Sequence, residues 1–376
     1  MNTDNENHRT RMNDNHDYCV IMAGGIGSRF WPQSHMEAPK QFIDFFGTGR
    51  TLLQQTYNRF ARIVPANHIY ISTHLDYQQL VREQLPELDP QHIIREPAHK
   101  RTAPSMALTA YHIRELDSEA RIVMAPSDQL ILNEEQFRRN MLDALEYVGT
   151  HPHLLTVGIQ PTHAETRYGY IQADSSVTEP TKNAICKVKT FTEKPQPEFA
   201  RLFVESNEFF WNTGLFVWSA ATIIDTMHQL LPDMTARFDR IFTEHTTRDE
   251  RRADLYRCYE SFPSISVDYA VIEKASNMYM LIGDFGWSDI GRWADVWSGS
   301  QKDDDGNAVI RGNADFYNSH NNIVALPQDR LVIVKDLDGY LVNATDKVIV
   351  ICPKDEDEAI KRFRRDTRMK YGDEYL

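Results

Sequence analysis

The residues best suited to chemistry start at Gly24-Gly25-Ile26-Gly27-Ser28-Arg29, with Lys40 a little further on. Ahead of them, the apolar run Cys19-Val20-Ile21-Met22-Ala23 reads as a buried strand. A strand that empties into a glycine loop with fixed cations suits phosphate. Bare amides approach the anion closely, and Arg29 and Lys40 neutralise it. Pro32 and Pro39 make the stretch between the two cations a shaped loop. Glycine turns of this kind also serve purely structural ends. The spacing is not the dinucleotide fingerprint, because Phe30 stands three after Gly27, and no Gly-Lys-Ser/Thr follows to make a P-loop.

Asp128 follows the buried run Arg121–Ala125, and Asp289 sits between Gly286 and Gly291. Alone, each reads as a turn carboxylate, or for Asp128 a helix cap. Brought together, they would suit Mg²⁺, which takes carboxylates, waters and substrate phosphates. Glu193-Lys194-Pro195 ends an extended run and pairs an acceptor for sugar hydroxyls with a point charge for phosphate. Read plainly, it is an exposed strand end.

Gly25-x-Gly27-Ser28-Arg29-x-x-Pro32 followed by Pro39-Lys40 closely resembles the signature of the sugar-nucleotide pyrophosphorylases. Arg29-Phe30-Trp31-Pro32 and Pro39-Lys40-Gln41-Phe42 resemble the mannose-1-phosphate guanylyltransferase branch. The matching blocks run in order from Tyr18 to about Trp293. The resemblance implies a Rossmann-like α/β nucleotidyltransferase that joins GTP to α-D-mannose 1-phosphate, giving GDP-mannose and pyrophosphate. By the same resemblance, Gly24, Gly25, Gly27, Ser28, Arg29, Lys40 and Asp128 hold the nucleotide. Gly169, Glu193, Lys194 and Asn212 hold the sugar phosphate, with Arg29, Lys40 and Lys194 catalytic. Asp128 and Asp289 match the pair that ligates the catalytic metal, read as Mg²⁺. Asp268 and Glu273 match a further block without a defined role.

The departures fall in the substrate loops. The usual Pro-Leu-Ser-Arg is Pro32-Gln33-Ser34-His35, and Lys100-Arg101 replaces Arg-Asn before Thr102. Gln129 stands where His is usual and Arg167 where Gly is usual. Two alternatives follow: a nucleotidyltransferase for another sugar phosphate or nucleotide, and a non-catalytic sugar-nucleotide-binding regulatory protein. A nicotinamide dehydrogenase is disfavoured by the glycine spacing.

The elements that must position these residues alternate. Helical spacing marks 51–63, 77–85, 102–116 and 134–148, and apolar runs mark strands at 68–73, 92–95, 121–125 and 154–158. That cadence predicts a mixed, mainly parallel sheet with helices on both faces and ligands beyond the strands' carboxyl ends. From residue 160 the runs shorten: strands at 166–171, 185–192 and 211–218, helices at 197–205 and near 221–231. Residues 301–306 read as a charged linker. Beyond them come short strands at 323–326, 331–335, 339–343 and 347–352, then a terminal helix over 356–369. No long repeat is evident. The expected division is a disordered tail over Met1–Asp17, a catalytic domain over 18–300 and a small β domain over 301–376. The last resembles the left-handed β-helix-like tail of the short, single-function guanylyltransferases. Longer relatives carry an isomerase cupin, for which this chain is too short, and the resemblance suggests a homodimer.

With 376 residues, 41% hydrophobic and 25% charged, the composition is globular. A net charge of −13 argues against a nucleic-acid or anionic-membrane binder, so phosphate must be met by local cations or a metal. Four scattered cysteines without a C-x-x-C pair, and no run long enough to span a membrane, lead to the expectation of a cytoplasmic enzyme. The Asp303-Asp304-Asp305-Gly306 run reads as a solvated turn, and Lys361–Arg365 as one polar helix face.

Overall fold

The computed structural model describes residues 15–176, 178–244 and 247–376. Most of the tail expected over Met1–Asp17 lies outside the described residues, but Asp17 itself opens the first strand and pairs with Arg121 at 2.6 Å.

From β1 (Asp17–Met22) the chain runs through α1 (Leu52–Phe60), β2 (Ile69–His74), α2 (Gln78–Gln84), β3 (Ile93–Glu96), α3 (Thr102–Leu116), β4 (Arg121–Pro126), β5 (Gln129–Ile131), α4 (Glu134–Thr150) and β6 (Leu154–Ile159). Next come β7 (Tyr170–Ala173), β8 (Ile185–Thr192), α5 (Pro197–Ser206), β9 (Phe209–Ser219), α6 (Ala220–Leu230), α7 (Pro232–Glu244), α8 (Arg248–Tyr259), β10 (Met278–Gly283), β11 (Trp287–Asp289) and α9 (Trp293–Gly299). Short strands β12 (Ala308–Arg311), β13 (Asn313–Tyr317), β14 (Ile323–Ala325), β15 (Leu331–Lys335), β16 (Tyr340–Ala344) and β17 (Ile349–Pro353) precede α10 (Asp357–Tyr371).

Two compact units share this chain, and they interleave. One takes residues up to Met22, Tyr57–Pro126 and Ile131–Trp287; the other takes Ala23–Thr56, Ser127–Leu130 and Ser288–Leu376. The grouping differs from a cut at residue 300, because the glycine loop is grouped with the C-terminal strands.

The first unit holds a nine-stranded sheet ordered β3-β2-β1-β4-β9-β6-β10-β8-β7. β1 and β4 are buried along their length and read as continuous apolar runs, as strands covered on both faces do. The sheet is mixed, but the expected parallel majority is corrected. Four pairings are parallel, and five are antiparallel. The reason is β9, which runs against both β4 and β6; a strand buried on both faces carries no mark of its direction. Residues 166–169, expected in a strand, precede β7, because Arg167 turns back to pair with Glu165. Helices α7 and α8, missing from the sequence reading, bury Met234, Phe238, Ile241, Leu255 and Tyr259 in the main core.

In the second unit β12 to β16 stack in parallel and β17 closes antiparallel on β16: Ala308 registers on Ile323, which registers on Leu341, and Asn313 registers on Leu331. A coil therefore recurs after 15 and then 18 residues, where the sequence reading found no repeat. Two signals carry it. Gly306, Asn321 and Gly339 take left-handed conformations at equivalent turns, as do Asn318 and Asp336. Buried Asn307 accepts from the Asn322 backbone and side-chain nitrogens, and Asn322 Oδ1 accepts from Tyr340 N at 2.8 Å. The expected linker over 301–306 is the turn into this coil. There the Asp303 carboxylate accepts from the backbone nitrogens of Asp305 and Asn307.

Candidate active site

The glycine loop is fastened to the coil of its own unit. Phe30, Trp31 and Phe45 pack in one core with Trp293, Ile323, Leu341 and Ile360. Gln33 donates to Ala344 O at 2.8 Å and accepts from Arg311 Nη2 at 2.8 Å, while Trp31 Nε1 donates to Tyr375 O at 2.9 Å. Gln33, one of the departures, is thus a tether.

Within the loop, Gly27 has φ +70°, and a Cβ there would lie 2.3 Å from Lys40 Cβ. Only glycine allows that approach. Gln41 Nε2 donates to Ala23 O at 2.8 Å, closing the loop on its own stem. Lys40 is buried, lies 5.4 Å from the Phe30 ring centroid, and holds Asp128 Oδ2 at 2.9 Å. Two residues 88 positions apart in the sequence are thereby joined. Arg29 is half-buried, and its Nε is buried without a hydrogen-bond partner among the described residues. The Glu358 carboxyl on α10 is held below its ordinary value by the Lys361 hydrogen bond first and by the Arg29 charge as well. Asp289 ends β11, which pairs with β5, the strand that begins next to Asp128. No cluster of three or more His, Cys, Asp or Glu that could hold a metal exists among the described residues.

The other predicted residues meet within the first unit. A Cβ on Gly169 would lie 2.8 Å from Glu193 Oε2 and 3.3 Å from Asn212 Cβ, so this glycine is the point on which both side chains close. Asn212 N also donates to Gly169 O at 2.8 Å. Lys194, at φ +48°, sets its Nζ against Glu193 Oε1. Asn212 Nδ2 donates to Asp268 Oδ1 at 3.1 Å. Asp268 opens a π-helical turn, Asp268–Ile272, a local distortion that recurs at functional sites. Tyr168, Trp211 and Trp287 stand edge to face beside this cluster.

Sequence reasoning missed one buried polar group. Buried Glu96 accepts from Ser72 and Ser105 at 2.9 and 2.8 Å through Oε1, and from Tyr259 at 3.2 Å through Oε2. Nothing in the spacing of these residues reveals the meeting. Arg101, just past Glu96, takes φ 62°, ψ −163° as it opens α3.

Comparison with known proteins decides the family. The nucleotidyl transferase family model matches residues 18–306. The chain belongs to the nucleotidyl transferase family. A mannose-1-phosphate guanylyltransferase of Salmonella muenchen is 34% identical over 342 residues, covering 88% of this chain and 70% of that one. One from Klebsiella pneumoniae is 32% identical, covering 94% of this chain and 75% of its own. Among solved structures, a Thermus thermophilus protein described as a mannose-1-phosphate geranyltransferase aligns with a TM-score of 0.82 at 27% identity. It covers 94% of this chain and 100% of its own.

As a nucleotidyl transferase, the chain has an α/β fold with mixed sheets. Its remaining departures are accommodated in place. Gln129 is buried, Arg167 is paired with Glu165 at 2.8 Å, and Lys100 Nζ reaches Glu260 O at 2.5 Å. No helix among the described residues is long and apolar enough to cross a membrane.

Proposed function

We propose that this protein transfers the guanylyl group of GTP to α-D-mannose 1-phosphate, releasing pyrophosphate. The observation that carries the reading is the Lys40–Asp128 pair at the glycine loop, a buried cation held in place by a partly exposed carboxylate. A phosphate oxygen of the sugar phosphate attacks the α-phosphorus, forming the new P–O bond as the bond to the β-phosphate oxygen breaks. The electron pair leaves with pyrophosphate, and no covalent enzyme intermediate is required. Arg29 and Lys40 meet the triphosphate charge, with the amides of Gly24, Gly25, Gly27 and Ser28 along the loop. Lys194 orients the attacking phosphate, and Glu193, Asn212 and Gly169 bind the sugar.

An aspartate just before β5 and another at the end of its partner strand β11, with no third acidic, histidine or cysteine ligand grouped with them among the described residues, fit a hard cation that keeps waters and phosphates. They do not fit a closed zinc site. Asp128 and Asp289 would hold Mg²⁺, which when bound supplies charge neutralisation and a template for the phosphates.

Several finer points belong to the same proposal. The catalytic segment is 18–300, and the C-terminal coil over 301–376 is left-handed. The protein is a cytoplasmic homodimer that binds neither nucleic acid nor membrane. Leu331, Ile333, Ile349 and Ile351, each more than half exposed on the coil, support self-association, and four unpaired cysteines suit a reducing compartment. Pyrophosphate release measured over four nucleoside triphosphates and several sugar 1-phosphates tests the reading. GTP with mannose 1-phosphate is expected to give the highest kcat/KM. Tight GDP-mannose binding with no release from any pair would make the protein a regulatory binder.

A further inference from the structure

Asn212 has almost no hydrogen-bonding capacity left to choose with. Its Oδ1 faces Thr156 Oγ1 at 2.9 Å and the Gly214 backbone nitrogen at 3.3 Å. Thr156 shares its one proton between Asn212 and Leu215 O, at 3.0 Å, whereas Gly214 N–H can only donate. One Nδ2 hydrogen goes to Asp268 Oδ1 at 3.1 Å. A backbone donor on one side and a carboxylate on the other fix the orientation of the amide, and a flip would set like against like at both ends. An amide carries two N–H donors. Among the described residues one Asn212 N–H therefore remains for a ligand, and the residue is half-buried, so solvent reaches it.

Asp268 stands at a second junction. Burial pushes its carboxyl above the ordinary value, and the Lys194 charge and the Asn212 hydrogen bond pull it back.

We propose that Asp268 is the positioning residue of the sugar half-site: it holds Asn212 so that a single N–H is presented to a hydroxyl oxygen of the sugar 1-phosphate. This rests on the sugar-phosphate reading above. It deepens that reading by giving Asn212 a defined polarity: a donor to the sugar and never an acceptor from it. A deoxy sugar lacking the contacted oxygen would leave the N–H unpaired.

The test is steady-state kinetics of Asp268→Ala and Asp268→Asn with sugar 1-phosphate and GTP varied separately. Asp268→Ala is expected to raise the KM for sugar 1-phosphate about tenfold, the loss of one well-placed hydrogen bond. KM for GTP is expected to stay within about twofold. Asp268→Asn, which keeps an acceptor oxygen, is expected to recover most of that loss. In an Asn212→Ala background, Asp268→Ala is expected to add little, because the two act as one unit. An unchanged sugar KM in a folded Asp268→Ala protein would overturn the proposal, as would additive effects or an equal rise in both KM values. The Asn212 side-chain amide resonances, followed without substrate, read the contact independently of turnover. Resonances that do not move in Asp268→Ala refute it. Absence of pyrophosphate release from wild type, with the resonances shifted in the variant, refutes the substrate reading instead.

Discussion

Lys40 Nζ lies 2.9 Å from Asp128 Oδ2, and the two differ in exposure: the lysine side chain is 8% accessible and the aspartate 30%. The asymmetry decides what each loss does. Removing Lys40 leaves a carboxylate that water can reach, whereas neutralising Asp128 leaves a buried ammonium without its counter-charge. Lys40→Met and Asp128→Asn are both expected to lower kcat by about 10²–10³. Only Asp128→Asn is expected to lower stability markedly, by about 2 kcal/mol or more. Thermal unfolding beside the kinetics checks this, and equal melting temperatures for the two variants would contradict it.

The glycines of the loop divide into two kinds. Gly27 has positive φ and a would-be Cβ 2.3 Å from Lys40, while a Cβ on Gly25 meets nothing within 4 Å. Gly27→Ala is expected to displace Lys40, costing kcat and about 1–3 kcal/mol of stability. Gly25→Ala is expected to fold with wild-type stability and to raise the KM for GTP alone, since its added methyl takes up open space on the loop where the triphosphate is proposed to bind. A Gly25→Ala protein with an unchanged KM would separate that glycine from the nucleotide.

How far the chain could be read before its structure follows from range. Helix α3 at Thr102–Leu116 and strand β8 at Ile185–Thr192 match their sequence bounds, because the spacing of apolar residues is a local signal. Helix α8 escaped because Arg248–Tyr259 is mostly charged, with little beyond Leu255 and Tyr259 to mark its buried face. The repeat of the coil escaped, although the resemblance implied a β-helix-like tail, because uneven spacing and asparagine rungs, not apolar periodicity, carry it. The site was legible as residue types and illegible as geometry. Lys40 and Asp128 were both visible, but their pairing, like the bond of Asn212 to Asp268, is a long-range consequence of sheet order.

Glu96 gives a pH signature of its own. Burial raises its carboxyl above the ordinary value of 4.5, against the opposing hydrogen bonds from Ser105, Ser72 and Tyr259. The folded state therefore holds this proton more tightly than the unfolded chain does. Its contribution to stability is complete below about 4.5 and is lost as pH rises through the raised folded value. In Glu96→Gln that loss disappears. The stability of wild type relative to the variant is expected to fall as pH increases from about 4.5, as urea unfolding at a series of pH values would show. A difference independent of pH would mean that Glu96 titrates alike in both states.

Asn322 offers the sharpest test that the C-terminal coil supports the glycine loop. It is fully buried and makes three side-chain hydrogen bonds: to Asn307 Oδ1 at 3.0 Å, to Leu337 O at 3.0 Å, and from Tyr340 N at 2.8 Å. Alanine would strand the Tyr340 N–H, leave Leu337 O with only the His320 N–H at 2.9 Å, and open a cavity beside them. The expected cost is about 2–4 kcal/mol. Tyr340 begins the strand that also carries Leu341, in the core with Phe30 and Trp31, and Ala344, whose carbonyl receives Gln33. Loosening that strand should therefore be felt where the triphosphate is proposed to bind. Asn322→Ala is expected to raise the KM for GTP several-fold while leaving the KM for sugar 1-phosphate near wild type, although it touches neither ligand. Lower stability with both KM values unchanged would show the coil and the loop to be mechanically independent.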